Sequence, residues 1–215
     1  ESGVTAGCLA ASGFSGPAYI FEARWGGFLS TYVKHQAQPG ALVDDLGSSY
    51  RVMRSGIKPY AACRDIHSSL DVVLAATREH QLQVSDIDAV RLTCIPEMMQ
   101  MIGSDNLPQT RIEAQLSLRY SIAVALVTGR AFLQQYETPY LSDPNVVHLF
   151  GLVELIESAE LPFDSEPHVE ILTRDGRSVK GHVEFASGAP QNPLGEDGVV
   201  EKYNALASRI LPPAK

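Results

Sequence analysis

HVEILTRDGRSVKGHVEFA, residues 168–186, alternates apolar and polar side chains on both sides of a turn. A period of two belongs to a strand with one buried face. Asp175-Gly176 is a dipeptide that reverses a chain within a short loop. The stretch therefore reads as an antiparallel hairpin, HVEILT and VKGHVEFA joined at RDGRS. Outward from it, IDAVRLTCI (87–95) alternates in the same way and is closed by Pro96. Residues 153–158 read as a further strand, and 50–57, with Val52, Met53 and Ile57, as a strand or extended segment. That makes four or five strands.

Helical spacing fills the rest. Ile66, Leu70, Val73, Leu74 and Thr77 put one apolar stripe on a helix over 62–80. Residues 111–132 carry the strongest helical pattern, apolar on most faces, so that helix is central. Asp143 as cap and Pro144 at the first position open a helix that runs to about Leu152. The last helix is predicted over 196–211, and a short one over 42–46. Near the start, VTAGCLAAS (4–12) is helical and stops at Gly13. Strands and helices do not alternate regularly, so the fold class is α+β: a small mixed domain with an antiparallel sheet flanked by helices.

Composition narrows the function. The net charge of −8 argues against general binding of nucleic acid or anionic membranes. No apolar run has the length of a membrane span, and ESGVTAGCLAASGF lacks the basic leader of a signal peptide. Cys8, Cys63 and Cys94 are too few and scattered for a disulfide framework and suit reduced thiols in a cytoplasmic compartment. No cysteine, histidine and carboxylate set has metal-ligand spacing, and the nucleotide-binding and serine-hydrolase motifs are absent. Neither a metal nor a cofactor is expected.

The chemistry gathers in IKPYAACRDIHSSLD, residues 57–71. Pro59 holds Lys58 extended. With the helix starting near Ala62 or Cys63, Cys63, His67 and Asp71 share one face at four-residue spacing while Ile66, Leu70 and Val73 turn to the core. A helix N-terminus offers free N–H groups and positive dipole to an anion. Lys58, Arg64 and His67 beside it make a candidate carboxylate pocket, with Arg51 and Arg54 upstream. The bland alternatives are a solvated Lys and Arg, a His67 that pairs with Asp71 or a buried carbonyl, and a Cys63 that is only a small buried side chain. The central helix adds Gln115, Arg119 and Tyr120 within two turns. Tyr120 is either core filling with a satisfied hydroxyl or, beside a cationic pocket, a proton donor.

KPYAACRDIHSSLD resembles the Lys-Pro-Tyr-Pro-x-Cys-Arg-x-x-His segment of the MmgE/PrpD family. LAASGFSGPAYIFEARWGGF, QLSLRYSIAVALVTG, RDGRSVKGHVE and GAPQNPL are similar to four further family stretches, in the family's order. Ala61 stands where the family often has proline and Leu116 where it often has phenylalanine. The resemblance implies the C-terminal, α+β part of a family member, with residues 1–35 ending a helical domain and crossing over, 36–190 forming the α+β domain, and 191–215 a terminal helix and tail. It implies a lyase-type enzyme, 2-methylcitrate dehydratase-like, acting on a small di- or tricarboxylate by proton transfer beside a carboxylate. It further implies a homodimer at full length and an N-terminal helical domain that supplies the rest of the site. Lys58 and Tyr120 are then the catalytic candidates, and Arg64, His67 and Gln115 the substrate-binding ones. A non-catalytic binding or assembly domain with the same fold is the alternative.

Overall fold

A computed structural model describes residues 1–33 and 38–211. The chain divides into two units, Glu1–Met53 and Arg54–Lys215. The expected boundary at 35/36 and the last residues of the tail lie outside the described residues.

In the first unit α1 spans Ser2–Ala11. It stops where the sequence says it must. Gly13 takes φ +87°, the Phe14 N–H reaches the Leu9 carbonyl at 3.0 Å, and the Gly13 N–H reaches that of Ala10 at 3.0 Å. That double closure needs a residue without a Cβ in the left-handed region. Phe21, Phe28 and Tyr32 pack ring against ring farther along.

The second unit is built on α2 (His67–Glu79), β1 (Ile87–Cys94), α3 (Pro96–Ile102), α4 (Arg111–Gln115), α5 (Leu118–Thr128), α6 (Thr138–Leu141), α7 (Pro144–Leu152), β2 (Val153–Glu157), β3 (His168–Thr173), β4 (Ser178–Gly181) and α8 (Glu196–Ala207). The four strands form one sheet in the order β2-β1-β3-β4. The α+β class holds, but the sheet is mixed rather than antiparallel throughout. β1 pairs antiparallel with β3, and β3 with β4, while β2 lies parallel to β1 with Val90 opposite Val153. A chain that leaves β1 and returns through α3 to α7 arrives from the same end, and only a crossover of that length allows parallel pairing.

One sheet face is covered. Val90, Leu92, Val169 and Ile171 share one apolar core with Ile66, which precedes α2, Leu70 and Val73 of α2, and Ile122 and Leu126 of α5. The other face carries Arg91, Glu154, Glu170 and Lys180, with Arg91 Nε 2.8 Å from the Glu154 carboxylate and Lys180 Nζ 3.3 Å from that of Glu170.

Several local expectations shift. The helix expected to start near Ala62 or Cys63 begins at His67, after a 3-10 turn at Arg64–Ile66, and a 3-10 turn at Pro39–Leu42 stands in place of the short helix expected over 42–46. The 111–132 helix is broken at Leu116–Ser117, because the Ser117 hydroxyl accepts from the Tyr120 N–H at 3.2 Å and starts α5 afresh. Among the described residues, the segment 50–57 pairs with no strand, and Arg51–Arg54 closes its own 3-10 turn. The hairpin's second strand ends at Gly181, so 182–186 leaves the sheet. Its turn is the loop 174–177 with Gly176 at φ +87°.

Candidate functional site

The helix break at Ser117 positions the site. It leaves Gln115 at the end of α4, facing the segment that precedes α2. Gln115 Nε2 donates to the Ala61 carbonyl at 2.7 Å, and the Gln115 carbonyl accepts the Cys63 N–H at 2.9 Å. The Ala61 N–H goes to the Ala131 carbonyl at 3.0 Å. Residues 61–63 are thereby pinned from two sides, although no strand or helix runs through them.

Lys58 and His67 converge on the next carbonyl. Lys58 Nζ donates to the Ala62 oxygen at 3.0 Å, and His67 Nε2 lies 3.3 Å from the same oxygen. A carbonyl only accepts, so the His67 Nε2 carries the proton. His67 is fully buried. Burial holds its pKa down to about 4, aided by the Arg64 and Lys58 cations and opposed by the bond to Ala62 and by Asp71. The ring is therefore neutral at pH 7, and its Nδ1 has no hydrogen-bond partner among the described residues.

The segment before Lys58 is clamped by the GAPQNPL stretch. The Ile57 N–H donates to the Gly188 carbonyl at 2.8 Å. Gly188 sits at φ +82°, and a Cβ there would lie 1.9 Å from the Ile57 oxygen. A second clamp joins Tyr60, whose hydroxyl donates to Asp71 at 2.6 Å, to Ser187, whose N–H reaches the other Asp71 oxygen at 2.7 Å.

Lys58, Cys63, Gln115, Leu116, Phe132 and Lys202 line a cavity of about 520 Å³. Of the sequence-predicted residues, Lys58 and Gln115 meet here. His67 stands behind the wall and holds it through Ala62. Arg64 does not line the cavity: its Nη1 lies 3.6 Å from the Glu166 carboxylate, which also accepts from Ser68 at 2.7 Å. Burial raises the Glu166 carboxyl, while Ser68 and Arg64 act the other way. Tyr120 is fully buried, its hydroxyl donating to the Gln135 carbonyl at 2.7 Å and its ring 5.9 Å from that of Tyr136. Arg119 points elsewhere, to the Val153 carbonyl and to Asp105. Cys63 is half-buried at the cavity wall.

Lys202 was not foreseen. It comes from α8, more than eighty residues beyond Gln115, and no spacing in the sequence connects it with Lys58. The bonds of Ser68 to Glu166 and of Ser187 to Asp71 were equally invisible, because they span 98 and 116 residues. Among the described residues no group of three histidine, cysteine or acidic side chains could hold a metal. No helix among them is long and apolar enough to cross a membrane.

A family model described as the MmgE/PrpD C-terminal domain matches residues 60–215. Over 236 aligned positions the chain is 26% identical to a cis-aconitate decarboxylase of Aspergillus terreus, an alignment that covers 98% of this chain and 46% of that protein. It is 23% identical over 228 positions to a cis-aconitate decarboxylase-like protein, oryM, of Aspergillus oryzae, covering 98% of this chain and 47% of the relative. The chain spans about half the length of the curated relatives it matches.

Proposed function

Because the chain belongs to the MmgE/PrpD family, we propose that it is the C-terminal part of a lyase-type enzyme acting on a small tricarboxylate. The observation that carries this reading is the Lys58 ammonium, held on the Ala62 carbonyl at the wall of a cavity that Lys202 also lines. Two cations on one cavity of a chain with net charge −8 suit a ligand with more than one carboxylate.

The chemistry in view is formation of negative charge on a carbon beside a carboxylate. In a decarboxylation the bond to the departing CO2 breaks and its electron pair stays on that carbon until a proton arrives. In a dehydration a proton leaves the carbon first and hydroxide follows from its neighbour. In both, the Lys58 ammonium stabilises the carboxylate as charge spreads onto it. His67 stays neutral and keeps the Ala62 carbonyl in place. Gln115 fixes the 61–63 segment. Tyr120 acts from the core, by holding the turn that ends at Tyr136 and begins with the cavity residue Leu133. Arg64, paired with Glu166, orders the start of α2.

Cis-aconitate is the first substrate to test, on the names of the relatives, and 2-methylcitrate the second. An N-terminal helical domain that completes the site, a homodimer and a cytoplasmic location complete the proposal. The three free thiols fit that reducing compartment.

The test is turnover of both compounds by the intact protein and by its Lys58→Ala variant. Losing one such donor costs about 3 kcal/mol of barrier, about a hundredfold in kcat. Unchanged kcat and KM in the variant would remove Lys58 from the mechanism. Binding without turnover in the unaltered protein would favour a non-catalytic domain.

A further inference from the structure

A second cavity, of about 350 Å³, lies beside the Lys58 cavity, between the last turn of α2, the 129–132 turn and α8. Its apolar wall includes Pro59, Tyr60, Leu74, Phe132 and Leu194. Arg78, Arg130 and Lys202 line it as well, with Glu201 the one acidic residue among the lining. None of the three cations forms an ion pair among the described residues, although seven other pairs occur there. Arg78 donates through Nε to the Leu74 carbonyl at 3.1 Å, which holds the side chain along α2 and leaves both Nη groups for another acceptor.

Single exposed cations are ordinary. Three without carboxylate partners on one concave apolar surface are not, in a chain where Asp and Glu outnumber Lys and Arg by 25 to 17. The cavity has the size of a small-molecule site, and low-dielectric walls focus the field of the charges at its rim. A neutral apolar ligand would leave those charges unanswered. A polycarboxylate would leave the aromatic and leucine wall unanswered.

We propose that this second cavity binds an amphipathic anion, with an apolar body against Tyr60, Leu74, Phe132 and Leu194 and a carboxylate or phosphate head at Arg78, Arg130 and Lys202. The proposal does not rest on the reaction assigned to Lys58, although the two cavities share Lys202. They are adjacent, because Tyr60, Phe132 and Lys202 line both.

Isothermal titration of the intact protein at low ionic strength, with octanoate, octyl phosphate and 1-octanol as probes, tests the assignment. Saturable binding of at least one of the two anions is expected, about tenfold or more tighter than octanol, and the tighter anion identifies the head group. The double variant Arg78→Gln/Arg130→Gln should weaken the anion by about tenfold or more, with its melting temperature recording that it is folded. Ala205→Phe, which fills the cavity from α8 and leaves the charges in place, should abolish binding of the same probe. Lys58→Ala should leave it within about twofold. No saturable binding of either anion, equal affinity for octanol, an unaffected double variant, or loss in Lys58→Ala equal to that in the double variant would each overturn the proposal. The last result would put the probe in the other cavity.

Discussion

Replacing Gly188 by alanine is expected to damage the site without touching any residue that faces it. Gly188 stands at φ +82°, where a residue with a Cβ is strained by about 1–2 kcal/mol. The new methyl would lie 1.9 Å from the Ile57 oxygen and 3.0 Å from Pro59 Cδ. The first neighbour is backbone, so it cannot rotate away; the 56–58 segment must move. That movement breaks the 2.8 Å bond from the Ile57 N–H to the Gly188 carbonyl, a further loss of about 1 kcal/mol. The sum is about 2–3 kcal/mol, or roughly 5–10 °C in melting temperature for a unit of this size. Lys58 is the residue after Ile57, so kcat should fall as well. Thermal denaturation followed by circular dichroism, with turnover measured on the same samples, reads both effects. Gly151→Ala is the control: that glycine lies in α7 with nothing within 4 Å of a new Cβ, and alanine there should stabilise by up to about 1 kcal/mol. A Gly188→Ala protein with unchanged melting temperature and unchanged kcat would refute the clamp and the placement of Lys58 that depends on it.

Other perturbations have equally definite outcomes. His67 is neutral in the folded chain down to a pKa of about 4, against 6.5 when unfolded, so between those values the unfolded state binds the extra proton and stability falls as pH falls, by up to about 3 kcal/mol. Urea denaturation across pH 4–7 measures this, and a profile identical to that of His67→Gln would contradict it. Ser117→Ala removes the cap of α5 and should cost about 1 kcal/mol in the same assay, with no effect counting against the helix break as a capped junction. Leu70→Ala empties a fully buried position between α2 and the sheet, and a loss outside about 2–5 kcal/mol would mean the core there is not as described. Cys94, buried and with its thiol pushed up to about 12, should resist a thiol reagent at pH 8 that modifies the exposed Cys8; equal rates would be inconsistent with that burial.

The legible parts of this protein are those whose cause is local. Asp175-Gly176 reverses the chain because glycine alone is comfortable at the left-handed position there, whatever surrounds it. Asp143 caps α7 by bonding N–H groups two and three residues on, and Gly13 ends α1 with bonds that stay within six residues. The apolar stripe of Ile66, Leu70 and Val73 faces the core because helical period and burial agree. Those causes determined the α+β class and the motif that holds Lys58.

The undetermined parts are those whose partner lies far along the chain. Ser117 was legible as a cap in principle, but the apolar residues on both sides of it made one long helix equally consistent. The parallel pairing of β2 depends on the end from which the chain returns. Arg64 is neutralised by Glu166, about a hundred residues later, and so binds the fold together rather than lining the cavity. His67 is expected either in the carboxylate pocket or bonded to Asp71 or a buried carbonyl; it meets the Ala62 carbonyl, and no spacing encodes the complete burial that makes it neutral. Lys202 enters the Lys58 cavity only because α8 folds back over it. The sequence by itself determined the backbone's local turns, caps and periods, because those energies are decided within a few residues. The tertiary structure alone decided which charges survive and which carbonyl each donor finds, because desolvation and partner choice depend on everything packed around a group.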